Sequence, residues 1–516
     1  MSTEWLKDAV FYEIYPQTFY DSNGDGIGDL QGIIEKLDYI KSLGCNALWI
    51  NPCFDSPFKD AGYDVRDYMR IAPRYGTNED AVRLFNAAHE RGIRVCLDLV
   101  PGHTSEEHPW FKASGSDEPN EYSGRYVWTD NWCSGIAGRP YVGGECPRNG
   151  TYMLNFFKCQ PALNYGWRDP KETWQMPLDA PDCVATRKAM VDVIRFWLGL
   201  GADGFRVDMA DSLIKDDDEK KSATAGVWRK IFAEVRPEFP DAAFVSEWSN
   251  PAQSLCGAGY DMDFYLDHHN NGYNTLMRDY ETPGGDHSYF KKDAGGDIGR
   301  FLKDYMPKYE CSRSEGYISF FTCNHDTPRP ANNLCPDEAR LAYAFILTMP
   351  GVPFLYYGDE IGMKYNAALR SKEGGYTRTG SRTPMQWNMG ANLGFSAAPA
   401  DELYLPVDDS ANAVTVEAQE SEEGSLLNTV RALIKLRHEK PDLQADALFE
   451  PVFAEKGRAF LYRRGELLLA VNPDSTDDVV PFIVQGYTPI FTIGSAEVTE
   501  SGLKVGPQSF AVLERI

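Results

Sequence analysis

Short apolar runs typical of buried strands alternate with amphipathic runs typical of helices along most of this chain of 516 residues. The strand-like runs lie at residues 9–15, 47–50, 94–100, 204–207, 243–246, 263–266, 317–321 and 354–357. The helix-like runs lie at residues 30–43, 78–91, 187–200, 228–235, 298–309, 338–348 and 426–438, with Asn78 as the expected N-cap of the second. About eight strand–helix units in this order predict an α/β fold, a TIM (β/α)8 barrel.

The alternation is interrupted once and stops before the C-terminus. Residues 102–180 are rich in Gly, Pro, Trp, Tyr and Asn, and a structureless loop of that length is unusual in a compact domain. We therefore expect an inserted subdomain there. From residue 441 onward, short strand-like runs are separated by turn signals, which predicts an antiparallel β domain. The predicted organisation is a barrel built from 1–101 and 181–440, an insertion over 102–180 and a C-terminal β domain over 441–516.

Charge and cysteine content disfavour several classes of protein. The net charge is −25 at pH 7, which repels nucleic acids and anionic membrane surfaces, so a neutral or cationic small ligand is expected. The sequence has no apolar run of bilayer length, and its first residues lack the pattern of a signal peptide. The 11 cysteines include no CxxC pair, so we expect free thiols in a reducing cytoplasm. Cys133 and Cys146 are the one pair where a bridge would be sought, and the oligomeric state, monomer or dimer, stays open.

Polar side chains stand at the ends of four predicted barrel strands, where packing alone would not place them. In chain order they are Asp98 and His103, then Arg206 and Asp208, then Glu247, and finally Asn324, His325 and Asp326. Because barrel strands end at one common face, we expect these groups to converge. Glycosyl transfer requires a carboxylate that attacks the anomeric carbon, one that protonates the leaving oxygen and one that stabilises the transition state. Arg206 shares a strand face with Asp208, and its charge is expected to hold Asp208 ionised.

Nine sequence motifs carry a resemblance to one enzyme family. They are DSNGDGIGDLQGI, AGYDVRDY, YGTNED, DLVPGH, GFRVD, SEW, NHD, GVPFLYYGDEIGM and SRTPMQW. Over nearly its whole length the chain resembles the α-amylase family, glycoside hydrolase family 13, and the first three motifs resemble its oligo-α-glucosidase and trehalose-synthase branch. The resemblance implies the barrel, an inserted domain B after the third strand and a C-terminal β-sandwich domain C.

The resemblance also implies an activity and a set of site residues. The activity is that of a retaining α-glycoside hydrolase of the α-glucosidase type, which cleaves short α-linked gluco-oligosaccharides through a covalent glycosyl–Asp intermediate. Asp208 would be the nucleophile, Glu247 the general acid/base and Asp326 the transition-state stabiliser. The residues implied to contact the sugar in the cleavage subsite are Tyr63, Asp64, His103, Arg206, His325 and Arg382. We further expect Asp64 and Arg382 to pair and close the far end of the cleft, which predicts exo-action.

Several positions depart from the family pattern and leave the linkage preference open. Gly102 stands where Asn is usual, Ala162 replaces an acidic residue, and Met209 follows the nucleophile where Val or Ala is usual. A transglycosylase or isomerase of the trehalose-synthase type, acting on maltose or sucrose, is therefore the alternative to hydrolysis. A non-catalytic relative, like the heavy chains of amino-acid transporters, is disfavoured because such relatives carry a transmembrane helix and lose the catalytic carboxylates.

A loop after the first strand is a candidate metal site. Its oxygen ligands would be Asp21, Asn23, Asp25, the backbone carbonyl of Ile27 and Asp29. The twelfth position of the loop is Gly32, so the bidentate Glu of an EF-hand is missing. With the family resemblance we expect a bound Ca²⁺ or Mg²⁺ that braces the loop and takes no part in catalysis.

Overall fold

A closed barrel of parallel strands forms the centre of the computed structural model, which describes residues 3–131, 138–280, 283–482 and 484–516. Its strands are β1 (Phe11–Ile14), β2 (Ala47–Ile50), β3 (Arg94–Leu99), β4 (Gly204–Val207), β5 (Ala243–Ser246), β6 (Met262–Phe264), β7 (Tyr317–Ser319) and β8 (Phe354–Tyr356). They pair in the order β7-β6-β5-β4-β3-β2-β1-β8. The Phe354 N–H donates to the Phe320 carbonyl at 2.8 Å, and the Phe354 carbonyl accepts from the Thr322 N–H at 3.0 Å, which closes the sheet. The predicted TIM barrel is confirmed.

The long helices of the described ranges surround this sheet. They are α1 (Leu30–Leu43), α2 (Asn78–His89), α3 (Pro181–Leu200), α4 (Ser222–Val235), α5 (Ile298–Ser312), α6 (Pro336–Thr348) and α7 (Leu426–Glu439). The predicted N-cap of α2 is wrong by one residue. Thr77 is the N-cap and forms a capping box with Asp80, whereas the Asn78 side chain donates to the Met69 carbonyl at 2.9 Å.

The connection between β5 and β6 is shorter than the other crossovers. It contains Pro251–Gln253 and a π-helical turn, Ser254–Ala258, in place of a long helix. Other short helices are Pro109–Ser114, Asn274–Met277 and Val416–Glu420. The 3-10 segments are Glu4–Asp8, Pro16–Thr18, Ala210–Ser212, Pro330–Asn332, Asp359–Ile361, Tyr376–Ser381, Ala391–Gly394 and Pro441–Leu443.

Two antiparallel hairpins lie in loops that follow barrel strands. Phe54–Asp55 pairs with Asp67–Ile71 after β2, and Tyr141–Gly143 pairs with Thr151–Met153 after β3. The second hairpin belongs to the insertion, whose small core comprises Val127, Met153, Ala162 and Trp167. A β-bridge from His103 to this core ties the insertion to the chain that leaves β3. The insertion therefore starts directly beside the carboxyl end of that strand.

The C-terminal part of the chain is an antiparallel β domain, as predicted. Its strands are β9 (Phe449–Phe453), β10 (Phe460–Arg464), β11 (Leu467–Asn472), β12 (Asp478–Val480), β13 (Tyr487–Ile493), β14 (Ala496–Thr499), β15 (Gly502–Val505) and β16 (Ser509–Arg515). One sheet has the order β9-β10-β11-β16-β13 and the other β12-β15-β14. Apolar side chains of both sheets form one buried cluster, so the two sheets pack as a sandwich.

Two further expectations concern membranes and disulfides. Within the described ranges, no helix is long and apolar enough to cross a membrane. Cys146 is a free thiol, and Cys133 lies outside the described residues. The Cys133–Cys146 pair therefore stays a prediction.

Candidate active site

Arg206 on β4 binds three carboxylates at the carboxyl end of the barrel. Asp98 on β3 lies opposite Arg206 in the parallel register, and Glu247 directly follows β5. The guanidinium contacts Asp98 Oδ1 at 2.9 Å. It also contacts Asp208 Oδ1 at 3.0 Å and Glu247 Oε1 at 2.9 Å. Three neighbouring strands thus bring the predicted nucleophile and the predicted general acid to one buried cation.

Asp208 and Glu247 line a cavity of about 280 Å³. The residues that line it are Asp60, Tyr63, His103, Phe156, Asp208, Met209, Asp211, Glu247, Trp248, Leu266, His268, Asp326 and Arg378. Glu247 Oε2 accepts a hydrogen bond from the backbone N–H of Met209 at 2.8 Å. Met209 has a φ of 42°, so the chain turns sharply after Asp208. This turn aims a backbone donor at the general-acid candidate.

The charge state of Asp208 depends on opposing effects. Burial raises the pKa of the Asp208 carboxyl well above its usual value, and the negative charges of Glu247 and Asp98 act in the same direction. The Arg206 guanidinium lowers the pKa, as the sequence predicts, but it does not outweigh burial. Arg206 therefore acts on the pKa of Asp208 in the predicted direction, but this one cation is shared among three carboxylates.

Asp326, which follows β7, lines the same cavity beside two guanidiniums. Its Oδ1 lies 2.7 Å from Arg382 Nη2 and 3.4 Å from Arg378 Nη1. Burial alone would raise the pKa of Asp326, but His325, Arg378 and Arg382 outweigh it and hold this pKa well below the usual range. Burial also keeps the pKa of His325 well below its usual value, so the ring contributes positive charge only at acid pH and the two guanidiniums act on Asp326 near pH 7. Asp326 therefore stays ionised across the neutral range.

A buried polar network supports the wall of the cavity at Tyr63. The Tyr63 hydroxyl lies 2.7 Å from His325 Nε2 and 3.1 Å from Asp98 Oδ2. His325 Nδ1 lies 2.8 Å from Glu13 Oε1, and Glu13 on β1 is fully buried. The Tyr63 and His325 rings are stacked, with centroids 5.4 Å apart. Side chains from β1, from the loop after β2 and from the end of β7 therefore fix this wall together.

The predicted pair of Asp64 with Arg382 is wrong. Asp64 is fully buried, and its carboxylate accepts hydrogen bonds of 2.9–3.0 Å from three groups of its own loop. Arg382 contacts Asp326 instead. The ion pair at the cavity joins Asp60 and Arg378, with 3.1 Å between Oδ1 and Nη2. The turn shaped by Asp64 presents Asp60, and the acid that meets a guanidinium is four residues earlier than expected.

Two of the six predicted sugar contacts line the cavity, namely Tyr63 and His103. Arg206, His325 and Arg382 lie behind the lining, with exposures of 1 %, 0 % and 2 %. Arg206 contacts Asp208 and Glu247, and both Arg382 and His325 contact Asp326, so all three border carboxylates that line the cavity. Direct contact of these three side chains with a bound sugar stays a prediction.

A family model described as the alpha amylase catalytic domain matches residues 13–446. The chain belongs to the α-amylase family. Trehalose synthase/amylase TreS of Mycobacterium tuberculosis is 32% identical over 96% of this chain and 87% of its own length. A probable oligo-1,6-glucosidase of Bacillus subtilis is 31% identical over 93% of this chain and 92% of its own. The trehalulose synthase MutB of Pseudomonas mesoacidophila MX-45 has a TM-score of 0.81 at 25% identity, over 99% of both chains. The protein is thus an α-glucosidase-like enzyme of this family.

Sequence reasoning about strand ends missed several cavity residues of this α-amylase family member. Asp60 lies in the loop after β2, Arg378 in the 3-10 segment Tyr376–Ser381 after β8, and Phe156 in the insertion. Two features of the sequence could have pointed to further cavity residues. Asp60 stands in the same short acidic loop as Asp64, and Trp248 directly follows Glu247. Trp248 lines the cavity beside Glu247, and aromatic rings pack against flat apolar faces such as those of sugar rings.

The predicted metal loop is held by its own hydrogen bonds. The Asp21 carboxylate accepts from three backbone N–H groups of the loop at 2.7–3.1 Å. Asp29 is the N-cap of α1 and accepts from the Gly32 N–H at 2.6 Å. In the described part of the chain, no group of three or more His, Cys, Asp or Glu side chains is placed to hold a metal ion. The oxygen donors suit Ca²⁺ in type but do not form a cage as placed, so metal binding stays a prediction for Asp21, Asn23, Asp25, Ile27 and Asp29.

Proposed function

We propose that this protein is a retaining α-glycoside hydrolase of the α-glucosidase type that removes one sugar from the non-reducing end of short α-linked gluco-oligosaccharides. One observation carries the proposal. Asp208 and Glu247, from neighbouring strand ends, share the Arg206 guanidinium and line a cavity that also exposes Asp326. Three carboxylates in one cavity can supply the nucleophile, the general acid/base and the transition-state stabiliser of a retaining glycosidase.

In the proposed reaction Asp208 attacks the anomeric carbon while Glu247 protonates the oxygen of the leaving sugar. The glycosidic bond breaks as the Asp208–sugar ester forms. Glu247, now ionised, takes a proton from water, and the resulting oxygen nucleophile displaces Asp208 from the anomeric carbon. Asp326 remains ionised through its two guanidinium neighbours, so it supplies negative charge to the oxocarbenium-like transition states.

The size of the cavity and its ion pair support exo-action. A volume of about 280 Å³ lies at the small end for ligand sites and suits one sugar ring. Asp60 and Arg378 form a charged wall that can bind the terminal hydroxyl groups of that ring. A polymer running through the site would have to displace this pair. Maltotetraose capped at its non-reducing end should therefore be a poor substrate.

An isomerase or transglycosylase acting on maltose or sucrose is the second candidate. It is favoured by the full-length similarity to TreS and to MutB, whose names denote a trehalose synthase and a trehalulose synthase. Both activities form the same glycosyl–Asp208 ester and differ in whether water or the released sugar attacks it. The cytoplasmic location and the oligomeric state stay predictions from the sequence.

Separate incubations with maltose, isomaltose, sucrose and trehalose distinguish the two candidates. Chromatography and NMR identify the products, and the Asp208→Asn variant controls for contaminating enzymes. Free glucose released in step with loss of substrate supports the hydrolase. Conversion of maltose to trehalose, or of sucrose to an isomer, with little free monosaccharide supports the isomerase. Turnover of none of the four sugars would contradict both.

A further inference from the structure

A partly buried chain of hydrogen bonds leads from Lys215 to the cavity. Lys215 Nζ donates to Asn155 Oδ1 and to the Ser212 carbonyl, both at 2.5 Å. Asn155 Nδ2 lies 3.1 Å from His103 Nδ1. His103 Nε2 lies 3.1 Å from the Tyr63 carbonyl. Three separate parts of the chain thus meet: the loop after β4, the insertion and the end of β3.

The chemistry of these groups settles which way each one points. An ammonium group only donates hydrogen bonds, so the amide of Asn155 must turn its oxygen towards Lys215. Its NH₂ group then faces His103, and His103 Nδ1 must accept. The ring proton is therefore on Nε2, which donates to the Tyr63 carbonyl. We infer that Lys215 and Asn155 are positioning residues that fix His103 as the Nε2–H tautomer.

Burial decides the charge states of Lys215 and His103 in this arrangement. Lys215 is 4 % exposed and His103 is 1 % exposed, whereas Asn155 between them is half-buried. Burial lowers the pKa of His103 to about 3, so the ring is neutral near pH 7 and carries one proton, on either Nδ1 or Nε2. Burial also lowers the pKa of Lys215 to about 7; Arg139 and Lys221 act in the same direction, and Asp211 opposes them. The ammonium form, which enforces the orientation, prevails on the acid side of this value.

The space beside Gly102 accommodates the same amide. A Cβ atom added at Gly102 would lie 2.8 Å from Asn155 Nδ2 and 3.2 Å from Ser212 Oγ. Any larger residue at position 102 would push Asn155 from its place between Lys215 and His103. The departure from the family pattern at Gly102 therefore has a physical reason in this chain.

The consequence for catalysis rests on the proposed function. His103 lines the cavity, so its tautomer decides whether Nε2 offers a proton or a lone pair at that wall. In the Nε2–H tautomer this proton is donated to the Tyr63 carbonyl, so the ring holds the Tyr63 backbone in place at the cavity without adding charge near Asp208. The lysine and the amide thus link the insertion to substrate binding without touching the sugar themselves.

The tautomer can be measured directly in the full-length protein. Labelling with ¹⁵N-histidine and long-range ¹H–¹⁵N NMR report which ring nitrogen carries the proton, and His103→Gln assigns one of the eight histidines. We expect protonated Nε2 in the wild type at pH 6. Lys215→Met removes the donor that orients the amide, and Asn155→Asp replaces the NH₂ group by an oxygen. Both should shift the proton towards Nδ1, most strongly in Asn155→Asp, which can still pair with Lys215.

The matched control is Lys221→Met, which removes a neighbouring lysine outside this chain of hydrogen bonds and should leave the tautomer unchanged. The activity of Lys215→Met and Asn155→Asp should fall about tenfold in kcat/KM, the effect of one hydrogen bond. Gly102→Ala should act in the same direction. Protonated Nδ1 in the wild type, or an unchanged tautomer in both variants, would overturn the inference. Absence of turnover in the wild type would instead contradict the proposed function. The NMR measurement would still decide whether Lys215 and Asn155 fix the tautomer of His103.

Discussion

The ion pair between Asp60 and Arg378 offers a sharp test of how the cavity selects its substrate. Asp60 is 3 % exposed and Arg378 is 18 % exposed, with 3.1 Å between their charged atoms. We consider Arg378→Gln, Asp60→Asn and the double variant. Either single change removes the charge on one side of the wall, and the remaining partner loses the orientation that the pair gives it.

The magnitude follows from the contacts. A hydrogen bond between a sugar hydroxyl and a charged group contributes about 2 kcal/mol, which corresponds to about 30-fold in kcat/KM. Asp326 keeps Arg382, which at 2.7 Å is closer than Arg378 at 3.4 Å, so the transition-state charge near Asp326 changes little. We therefore expect the loss to appear mainly in KM. Because the two residues act as one unit, the double variant should also lose about 30-fold rather than the about 900-fold of two independent contacts.

The assay measures initial rates on the disaccharide that the wild type turns over, with thermal unfolding as a check on folding. Arg370→Gln, an exposed arginine in the same loop region, is the matched control and should behave like the wild type. Rates on capped maltotetraose show whether opening the wall admits internal cleavage. Losses that multiply in the double variant, or an Arg378→Gln variant that matches the control, would refute the idea that the pair closes the pocket as a unit.

Three further predictions concern the carboxylates and the loop. Asp208→Asn and Glu247→Gln should each lower turnover by several orders of magnitude with the melting temperature little changed, and near-normal steady-state rates would contradict their assigned roles. Arg206→Met removes the group that opposes the raised pKa of Asp208, so the acid limb of the kcat/KM profile should move to higher pH; a limb that stays or moves to lower pH would argue against Asp208 as its origin. Exhaustive chelation should lower the melting temperature more than the rate at 25 °C if Asp21 and its loop neighbours bind Ca²⁺, and an unchanged melting temperature would count against that site.

Barrel elements could be predicted from sequence because their signals are local. The strands at Ala47–Ile50, Gly204–Val207 and Ala243–Ser246 have the predicted bounds. Each is short and buried along its whole length, and apart from Arg206 and Ser246 its residues are apolar or glycine, so composition indicates a buried strand. The convergence of Asp208 and Glu247 follows from the same reasoning, since parallel neighbouring strands must end together.

Contacts made by loops could not be predicted in this way. Asp60 and Arg378 are 318 residues apart, and neither loop has a periodicity that fixes where a side chain points. The sequence offered Asp64 and Arg382 as equally good partners, and only the path of the turn decides between them. Asn155 likewise reaches the space beside Gly102 through the fold of the insertion, which no local pattern records.

The most direct test of the central claim is to trap the covalent intermediate. A fluorinated α-glucosyl fluoride that forms the glycosyl–enzyme faster than water releases it should inactivate the protein in a time-dependent way. Mass spectrometry of the digested protein should then find one added sugar on the peptide that contains Asp208, and none in Asp208→Asn. A sugar attached elsewhere, or wild-type protein that consumes natural substrate with inversion at the anomeric carbon and no label, would contradict the proposal.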